Sequence, residues 1–127
     1  MEFLLDTHTF LWFAFGDEKL PIQIQDKIKN LKNSCFVSVA SLWEITIKQR
    51  LGKINLTLSI GELFRLAELN QIEILPISSE HLIKLSKLPL HHKDPFDRLI
   101  ISQSISEKLI LISRDSEFAK YKIKLIW

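Results

Sequence analysis

The stretch DPFDRLIISQSISEKLILIS, residues 94–113, decides the fold. Asp94 before Pro95 is typical of a helix start, because aspartate caps free N–H groups and proline fits the first helical position. The residues that follow predict a helix up to Lys108. LILIS at 109–113 then has hardly a polar atom, which indicates a strand that is buried on both faces. A helix that leads into such a strand is typical of a parallel sheet covered by helices.

The rest of the chain alternates in the same way. Further strands are predicted at FLL (3–5), SCFVSV (34–39) and IEILPI (72–77), with KIKLIW (122–127) as a last strand at the sheet edge. Helices are predicted from about residue 6 through Phe15, and at 20–33, 40–52, 58–71 and 78–88, with a short helix or turn at 115–121. This order predicts an α/β protein with a mostly parallel sheet. With 127 residues, we expect a single domain over residues 1–127.

Composition sets wide bounds on function. The chain has 17 basic and 15 acidic residues, so its net charge of +2 neither demands nor excludes a nucleic-acid partner. Cys35 is the single cysteine, and we expect it to be a small buried hydrophobe in a protein of the reducing cytosol. The first residues lack the pattern of a signal peptide, and no apolar run approaches the roughly 20 residues of a membrane span. A cytoplasmic protein without a membrane segment is therefore expected.

Four acids occur near the predicted ends of strands. Asp6 directly follows the strand FLL, and Asp115 lies two residues past LILIS. Glu44 and Asp97 lie in the first turns of the helices at 40–52 and 94–108. Because ligands of parallel sheets bind beyond the carboxyl ends of the strands, we expect these acids at one rim of the sheet.

Helix capping is the simpler interpretation of each acid. Asp94 fits an N-cap, and Asp97 is then the third helical residue, from which a carboxylate reaches back to the cap. SLWE at 41–44 fits the capping-box pattern, and Asp6 and Asp115 are each placed to cap the helix that follows. Capping alone does not explain why the acids gather at one rim, since the chain has many serines available for it.

A divalent cation would account for the gathering. Carboxylates within a few ångströms repel one another, and hard Mg²⁺ or Mn²⁺ prefers oxygen ligands and binds substrate phosphates. This chemistry favours phosphodiester hydrolysis, in which one metal activates water and a second, about 4 Å away, stabilises the leaving oxygen.

The chain also resembles a known family. LLDTHTFLW (4–12), SVASLWEITIKQRLGKI (38–54), LPLHHKDPFDRLIISQS (88–104) and LISRDSEFAKY (111–121) are similar, in order and spacing, to motifs of PIN-domain ribonucleases. Within these, VapC-type toxins of bacterial toxin–antitoxin pairs are the most similar branch. The resemblance covers essentially the whole chain. It implies a three-layer α/β/α sandwich around a central, mainly parallel five-stranded sheet.

The resemblance also implies a Mg²⁺- or Mn²⁺-dependent RNA endonuclease with a small antitoxin partner and a homodimeric state. It places the catalytic, metal-binding quartet on Asp6, Glu44, Asp97 and Asp115. Thr7 and Ser113 match supporting hydroxyls that orient ligands or water, and Asp94 matches a capping or supporting acid. His8 departs from the asparagine of many PIN domains, although the VapC branch often has histidine there, so the departure bears on substrate contacts.

Other residues near the acids have both a functional and a structural interpretation. Basic residues either form a phosphate-binding rim for RNA or are solvated surface: Lys48, Arg50, Lys53, Arg98 and Arg114. Aromatic residues either stack on bases or pack in the core or a dimer: Trp12, Phe13 and Trp43. The spacing of His91 and His92 fits no usual zinc pattern and predicts a solvated turn, and His81 is expected at the surface.

Two alternatives to the nuclease remain open. A PIN-like scaffold that binds without cutting is one, although the chain retains all four acids. A phosphoryl-acceptor domain or phosphatase is the other, but an aspartyl phosphatase needs a second aspartate two residues after the first, where this chain has His8. A receiver domain needs paired acids after its first strand and a lysine after its last, and the sequence lacks both.

Overall fold

A parallel sheet of five strands forms the centre of the protein, in a computed structural model that describes residues 1–127. The strands are β1 (Glu2–Leu5), β2 (Ser34–Ser38), β3 (Ile72–Leu75), β4 (Ile110–Ile112) and β5 (Leu125–Ile126). Their lateral order is β3-β2-β1-β4-β5, and all four pairs are parallel. The predicted five-stranded parallel sheet with the last strand at an edge is confirmed.

Six α-helices and one 3₁₀ helix surround the sheet. The helices are α1 (Thr7–Phe15), α2 (Ile22–Lys29), α3 (Val39–Arg50), α4 (Ile60–Leu69), α5 (Ser79–Ser86) and α6 (Pro95–Glu107), and the 3₁₀ helix is Ser116–Lys120. None of them combines the length and the apolar character needed to cross a lipid bilayer.

The alternation of side chains along β1 divides the core into two layers. Phe3 and Leu5 pack with residues of α1 to α4 on one face of the sheet. Leu4 packs with residues of α6 and the 3₁₀ helix on the other face, where Ile100 and Phe118 are almost fully buried. Successive strand residues point to opposite faces, so a central strand that is buried on both faces requires a helical layer on each side. The predicted α/β/α sandwich is confirmed.

Most helix ends follow the expected local chemistry. α1 ends at Gly16, whose φ of 61° is left-handed, as glycine readily allows. α2 ends at Lys29, four residues before the predicted end, and Leu31 is consequently exposed.

Cys35 is buried, as predicted, and burial raises the pKa of its thiol to about 11. The expectation that His81 lies at the surface is wrong, because its side chain is buried between α5 and α6.

Candidate active site

Asp6 and Ser113 lie side by side where the central strand β1 and its neighbour β4 end. The register pairs Leu5 of β1 with Ile112 of β4, and the Asp6 N–H donates to the Ile112 carbonyl over 3.1 Å. Ser113 Oγ donates to Asp6 Oδ2, while Asp6 Oδ1 accepts from the Thr9 N–H at 2.8 Å and so caps α1. Burial raises the pKa of Asp6, and the hydrogen bonds from Ser113 and Thr9 partly offset this effect.

Glu44 reaches the same rim from the second turn of α3. Its Oε1 accepts a hydrogen bond from Thr7 Oγ1 at 2.8 Å, and its Oε2 accepts one from Lys48 Nζ at 2.7 Å. Because Thr7 directly follows Asp6 in the chain, this hydroxyl ties the carboxylate of Glu44 to the end of β1. The supporting position predicted for Thr7 therefore has a structural basis.

The capping-box interpretation of residues 41–44 is wrong. α3 begins one turn earlier than that pattern requires, and Ser38 is the residue whose side chain accepts from the Ala40 N–H. Ser41 lies inside the helix, with its Oγ 3.0 Å from Thr7 Oγ1. The carboxylate of Glu44 is consequently free of any capping role and is directed towards Thr7.

Asp97 is placed by the cap of α6. Asp94 Oδ1 accepts from the N–H groups of Phe96 and Asp97 at 2.9 and 3.0 Å, so Asp94 starts the helix as predicted. The carboxylate of Asp97 does not bond back to the cap. Its Oδ2 instead lies 3.6 Å from His92 Nε2.

The charge around Asp97 relates it to the other acids. The pKa of Asp97 is raised to about 7, chiefly by burial and then by neighbouring negative charges, in decreasing order from Asp94, Glu44, Asp115 and Asp6. All members of the predicted quartet therefore lie within electrostatic reach of one carboxyl group. This agrees with the prediction that they share one rim of the sheet.

Asp115 completes the rim from the loop after β4. Its N–H donates to Ser113 Oγ at 3.0 Å, and its Oδ1 accepts from the Glu117 N–H at 2.9 Å to cap the 3₁₀ helix. Asp6 and Asp115 both line an open cavity of about 380 Å³, together with His8, Trp12, Arg114 and Ser116. Glu44 and Asp97 lie outside the wall of this cavity, so of the quartet only Asp6 and Asp115 share it.

The four carboxylates are the right kind of ligand for a hard cation, but they are not arranged as a ready metal site. All four acids offer carboxylate oxygens, the ligands that Mg²⁺ and Mn²⁺ prefer. No three Asp, Glu, His or Cys side chains converge closely enough to form a ready metal site. Both oxygens of Glu44 already have hydrogen-bond donors. Movement of side chains, or coordination through waters, is therefore needed for these acids to share an ion.

Comparison with known proteins identifies the family. The family model of the PIN domain matches residues 3–124. The chain belongs to the PIN-domain family. No curated protein matches this PIN domain.

Several solved structures share the fold of this PIN domain across nearly its whole length. VapBC2 from Rickettsia felis, bound to a DNA fragment from their promoter, has 19% identity and a TM-score of 0.72, covering 100% of this chain and 99% of that chain. VapBC-1 from nontypeable Haemophilus influenzae has 18% identity and a TM-score of 0.73, with 99% and 97% covered. A toxin–antitoxin complex from Klebsiella pneumoniae has 20% identity and a TM-score of 0.65, with 98% and 95% covered. At such identities the likeness shows a common fold.

The five basic residues predicted to lie near the acids differ in their surroundings and fall into three groups. Arg50 and Lys53 are exposed near the end of α3, and Arg114 is exposed at the cavity of Asp6, with its guanidinium 4.7 Å from the centre of the Trp12 ring. Lys48 is engaged with Glu44, and this contact is the main reason why its pKa is raised.

Arg98 forms the third group, and the prediction that it helps to bind RNA is wrong. Its guanidinium is buried and donates to the carbonyls of Leu88 and Pro89 and to the hydroxyl of Tyr121. All of these hydrogen bonds are therefore made within the protein. The role of Arg98 is therefore to hold the chain before α6 against the 3₁₀-helix region.

The aromatic residues also separate by burial. Phe13 is a core residue, which confirms its structural interpretation. Trp12 is half-buried at the cavity and packs edge-on against Trp127 at 5.7 Å between ring centres. Trp43 is 55% exposed and contacts Phe96 at 5.1 Å. Trp12 and Trp43 thus remain accessible on either side of the acids.

Sequence analysis missed His92 as part of this site. The pair His91–His92 predicted a solvated turn, yet only 13% of the His92 side chain is exposed. Its Nδ1 lies 2.8 Å from Tyr121 Oη. The only sequence signal was the position of the histidine just before the DPFD segment, because Tyr121 is 29 residues away in the chain.

Proposed function

We propose that this PIN domain is a metal-dependent RNA endonuclease and the toxin of a toxin–antitoxin pair. The observation that carries the proposal is the gathering of acids from four separate segments around Asp97, whose pKa is raised by burial and by the charges of these neighbours. Such crowding is unfavourable for a folded protein on its own, and a bound dication relieves it. Membership of the PIN family and the likeness of the fold to toxin–antitoxin complexes support the same conclusion.

In the proposed site, Asp6, Glu44, Asp97 and Asp115 hold Mg²⁺ or Mn²⁺, which would polarise the phosphate and lower the pKa of a bound water. The chain's own hydroxyls orient this set. Thr7 fixes one oxygen of Glu44, and Ser113 fixes the Asp6 oxygen that does not cap α1. In the hydrolysis, the water oxygen bonds to phosphorus and the bond from phosphorus to the 3′ oxygen breaks. The products then carry 5′-phosphate and 3′-hydroxyl ends.

Substrate binding is assigned to the exposed cations and aromatics at the rim. Arg114 lies at the cavity of Asp6 and Asp115, where its guanidinium is able to pair with a phosphate. Arg50 is exposed at the end of α3, where it would contact a phosphate further along the RNA. Trp12 and Trp43 offer faces on which unpaired bases can stack, which favours single-stranded or loop RNA as the substrate.

The partner proposed for this toxin is a small antitoxin protein whose tail blocks the acidic rim, and the toxin itself is proposed to form a homodimer in the cytoplasm. The likeness of the fold to solved VapBC structures and to a toxin–antitoxin complex supports the antitoxin partner. An antitoxin tail that carries a cation would complement the four acids. Copurification with the product of the adjacent reading frame tests the pairing.

RNA cleavage with matched variants tests the activity. Purified protein with Mg²⁺ or Mn²⁺ should cut single-stranded RNA, and EDTA should abolish the cutting. Asp6→Asn and Asp97→Asn should each abolish both cleavage and growth arrest on expression in bacteria, because each removes one charge from the site. Asp26→Asn, an exposed acid of α2, is the control and should behave as the unaltered protein does. Growth arrest that survives both site changes would refute the nuclease proposal.

The idle scaffold is the competing function, and the same experiment separates the two. A scaffold would bind RNA equally well before and after the two substitutions and would leave the RNA intact under every metal condition. Sequencing of RNA ends after induction in cells then identifies the target of an active enzyme.

A further inference from the structure

One largely buried side chain beside the acids is neither a member of the quartet nor a helix cap. His92 lies in the segment between α5 and α6, with its ring against Tyr121 and Phe118. Its Nδ1 lies 2.8 Å from Tyr121 Oη. Its Nε2 is shielded from solvent and has no hydrogen-bond partner, yet it lies only 3.6 Å from Asp97 Oδ2.

Hydrogen bonds connect Arg98, Tyr121 and His92 in series, and the contacts of Tyr121 determine which group donates at each step. A guanidinium can only donate, so Arg98 Nη1 donates to Tyr121 Oη across 3.1 Å. The phenol hydrogen of the buried Tyr121 then needs an acceptor, and His92 Nδ1 is the remaining partner of that oxygen. Nδ1 therefore accepts. A neutral imidazole that accepts at Nδ1 carries its proton on Nε2, the nitrogen that faces Asp97.

Arg98 is in turn fixed in place from the other side. Its guanidinium also donates to the Leu88 and Pro89 carbonyls at 3.2 and 2.8 Å, and these residues open the segment that carries His92. Arg98, the first residue of this hydrogen-bonded series, is thus anchored to the backbone. The fold therefore sets the orientation of the His92 imidazole.

We propose that Arg98, Tyr121 and His92 form a positioning relay that presents the Nε2–H of His92 to Oδ2 of Asp97. This inference rests on the proposed function, since it takes Asp97 to be a cation ligand. A shift of the carboxylate by about 0.6 Å would bring the contact to ordinary hydrogen-bond length. The N–H then binds one carboxylate oxygen and leaves the other for the ion. Carboxylates that ligate metals are commonly held by such outer hydrogen bonds, which tune affinity.

The relay separates the residues near Asp97 by role. His92 is a positioning residue, since its only free nitrogen carries the proton and points at a carboxylate. The neighbouring His91 is exposed and contacts Tyr121 only through its ring, at 4.8 Å between centres. The relay therefore predicts that substitution of His92 has an effect and that substitution of its neighbour His91 has none. His91→Gln is the matched control.

The test uses the ¹⁵N chemical shifts of the His92 ring and the affinity for Mn²⁺ alone, both at pH 8 and without RNA. The unaltered protein should show one tautomer, protonated at Nε2. Tyr121→Phe removes only the phenol oxygen and should give mixed tautomers together with a loss of Mn²⁺ affinity of about tenfold. His92→Phe should lose as much, and the double variant no more, because both changes break the same relay. His92→Gln keeps an amide N–H near the Nε2 position and should recover most of the affinity.

A wild-type His92 that is protonated at Nδ1 would overturn the relay. So would a Tyr121→Phe protein that is folded by circular dichroism but keeps both the single tautomer and the Mn²⁺ affinity. These readouts are independent of RNA cleavage. A protein that passes both tests and still fails to cut RNA contradicts the proposed nuclease and leaves the relay standing, whereas an active enzyme with an indifferent Tyr121→Phe variant contradicts the relay alone.

Discussion

The substitution Asp97→Asn should stabilise this PIN domain in the absence of metal, and by an amount that depends on pH. The change replaces a carboxylate crowded by other acids with a neutral amide of nearly the same shape. The Asp97 side chain accepts no hydrogen bond within normal length in the folded protein, so little is lost with the charge. The expected gain comes from removing the cost of ionising a group that is 21% exposed and surrounded by negative charge.

The magnitude follows from the raised pKa. Asp97 has an ordinary pKa of 3.8 in the unfolded chain, and burial together with the neighbouring acids raises it to about 7 in the folded protein. Below the lower value both states are protonated, and the variant gains nothing. As pH rises through this interval, the unfolded state ionises first, so wild-type stability falls until about pH 7 and is constant above it. The full difference of about three pKa units corresponds to about 4 kcal/mol, and relaxation of the folded state reduces this to an expected 2–4 kcal/mol.

Chemical denaturation at a series of pH values measures this difference. The free energies of unfolding of the wild type and Asp97→Asn should coincide near pH 4 and diverge up to pH 7, while Asp26→Asn should follow the wild type throughout. Mn²⁺ should then offset most of this difference at pH 8. At a hundredfold excess over its dissociation constant it stabilises the wild type by about 2.7 kcal/mol, and it should stabilise the variant far less.

Parallel curves for the two proteins would refute the reasoning. A constant difference across pH means that the carboxyl group of Asp97 titrates normally, and hence that the other acids are too distant to affect it. The same result would remove the main support for a shared cation site.

Four further changes test other charged residues of the protein. Lys48→Met should cost the metal-free protein less than about 1 kcal/mol, because the lysine is partly exposed, and should raise Mn²⁺ affinity roughly twofold to fivefold in calorimetry, since its ammonium no longer competes for Glu44. Arg98→Ala should lower the free energy of unfolding by about 2–4 kcal/mol, since it strands buried acceptors. Arg50→Ala should change that free energy by less than about 0.5 kcal/mol but reduce the salt dependence of RNA binding by about one unit of slope. Asp6→Ser should keep the cap of α1 and be about 1 kcal/mol more stable than Asp6→Ala in thermal melts, while both lose Mn²⁺ binding.

The changes at Lys48, Arg98 and Asp6 also have outcomes that contradict their basis. Weaker Mn²⁺ binding by Lys48→Met would show that the ammonium supports the ion instead of competing with it. An Arg98→Ala protein of unchanged stability but reduced RNA affinity would restore Arg98 to the binding surface. Equal stability of the serine and alanine variants of Asp6 would show that its carboxylate contributes nothing as a cap.

The fold was predictable because its signals are local. The apolar runs at 3–5 and 109–112 form the central strand β1 and its neighbour β4, and the polar residues Asp6 and Ser113 directly follow these runs in the chain. Parallel strands bring their carboxyl ends to one edge, so the meeting of these two residues needs no knowledge of distant packing. The same logic succeeded for Asp94, whose capping depends only on the residues that follow it.

The failures concern contacts that the chain order does not specify. Arg98 follows an acid of the site by one residue, and its charge suggested solvent or phosphate. Its guanidinium instead meets backbone carbonyls of the preceding segment and Tyr121, which lies 23 residues further along. His92 depends on the same tyrosine. Both were misjudged because the fold, and not the local sequence, supplies a buried partner for a polar group.

Helix capping and metal binding are compatible roles for these acids, because the two oxygens of one carboxylate can serve different partners. Asp6 caps α1 through Oδ1, and its Oδ2 is held by Ser113 and faces the rim. Asp115 likewise caps the 3₁₀ helix through Oδ1. A cap uses one oxygen and fixes the carboxylate plane, so the second oxygen is oriented without further side chains. Helices that begin at the carboxyl ends of parallel strands thereby orient acids towards a single rim. The serines elsewhere in the chain can cap equally well, but they provide no second oxygen for a cation.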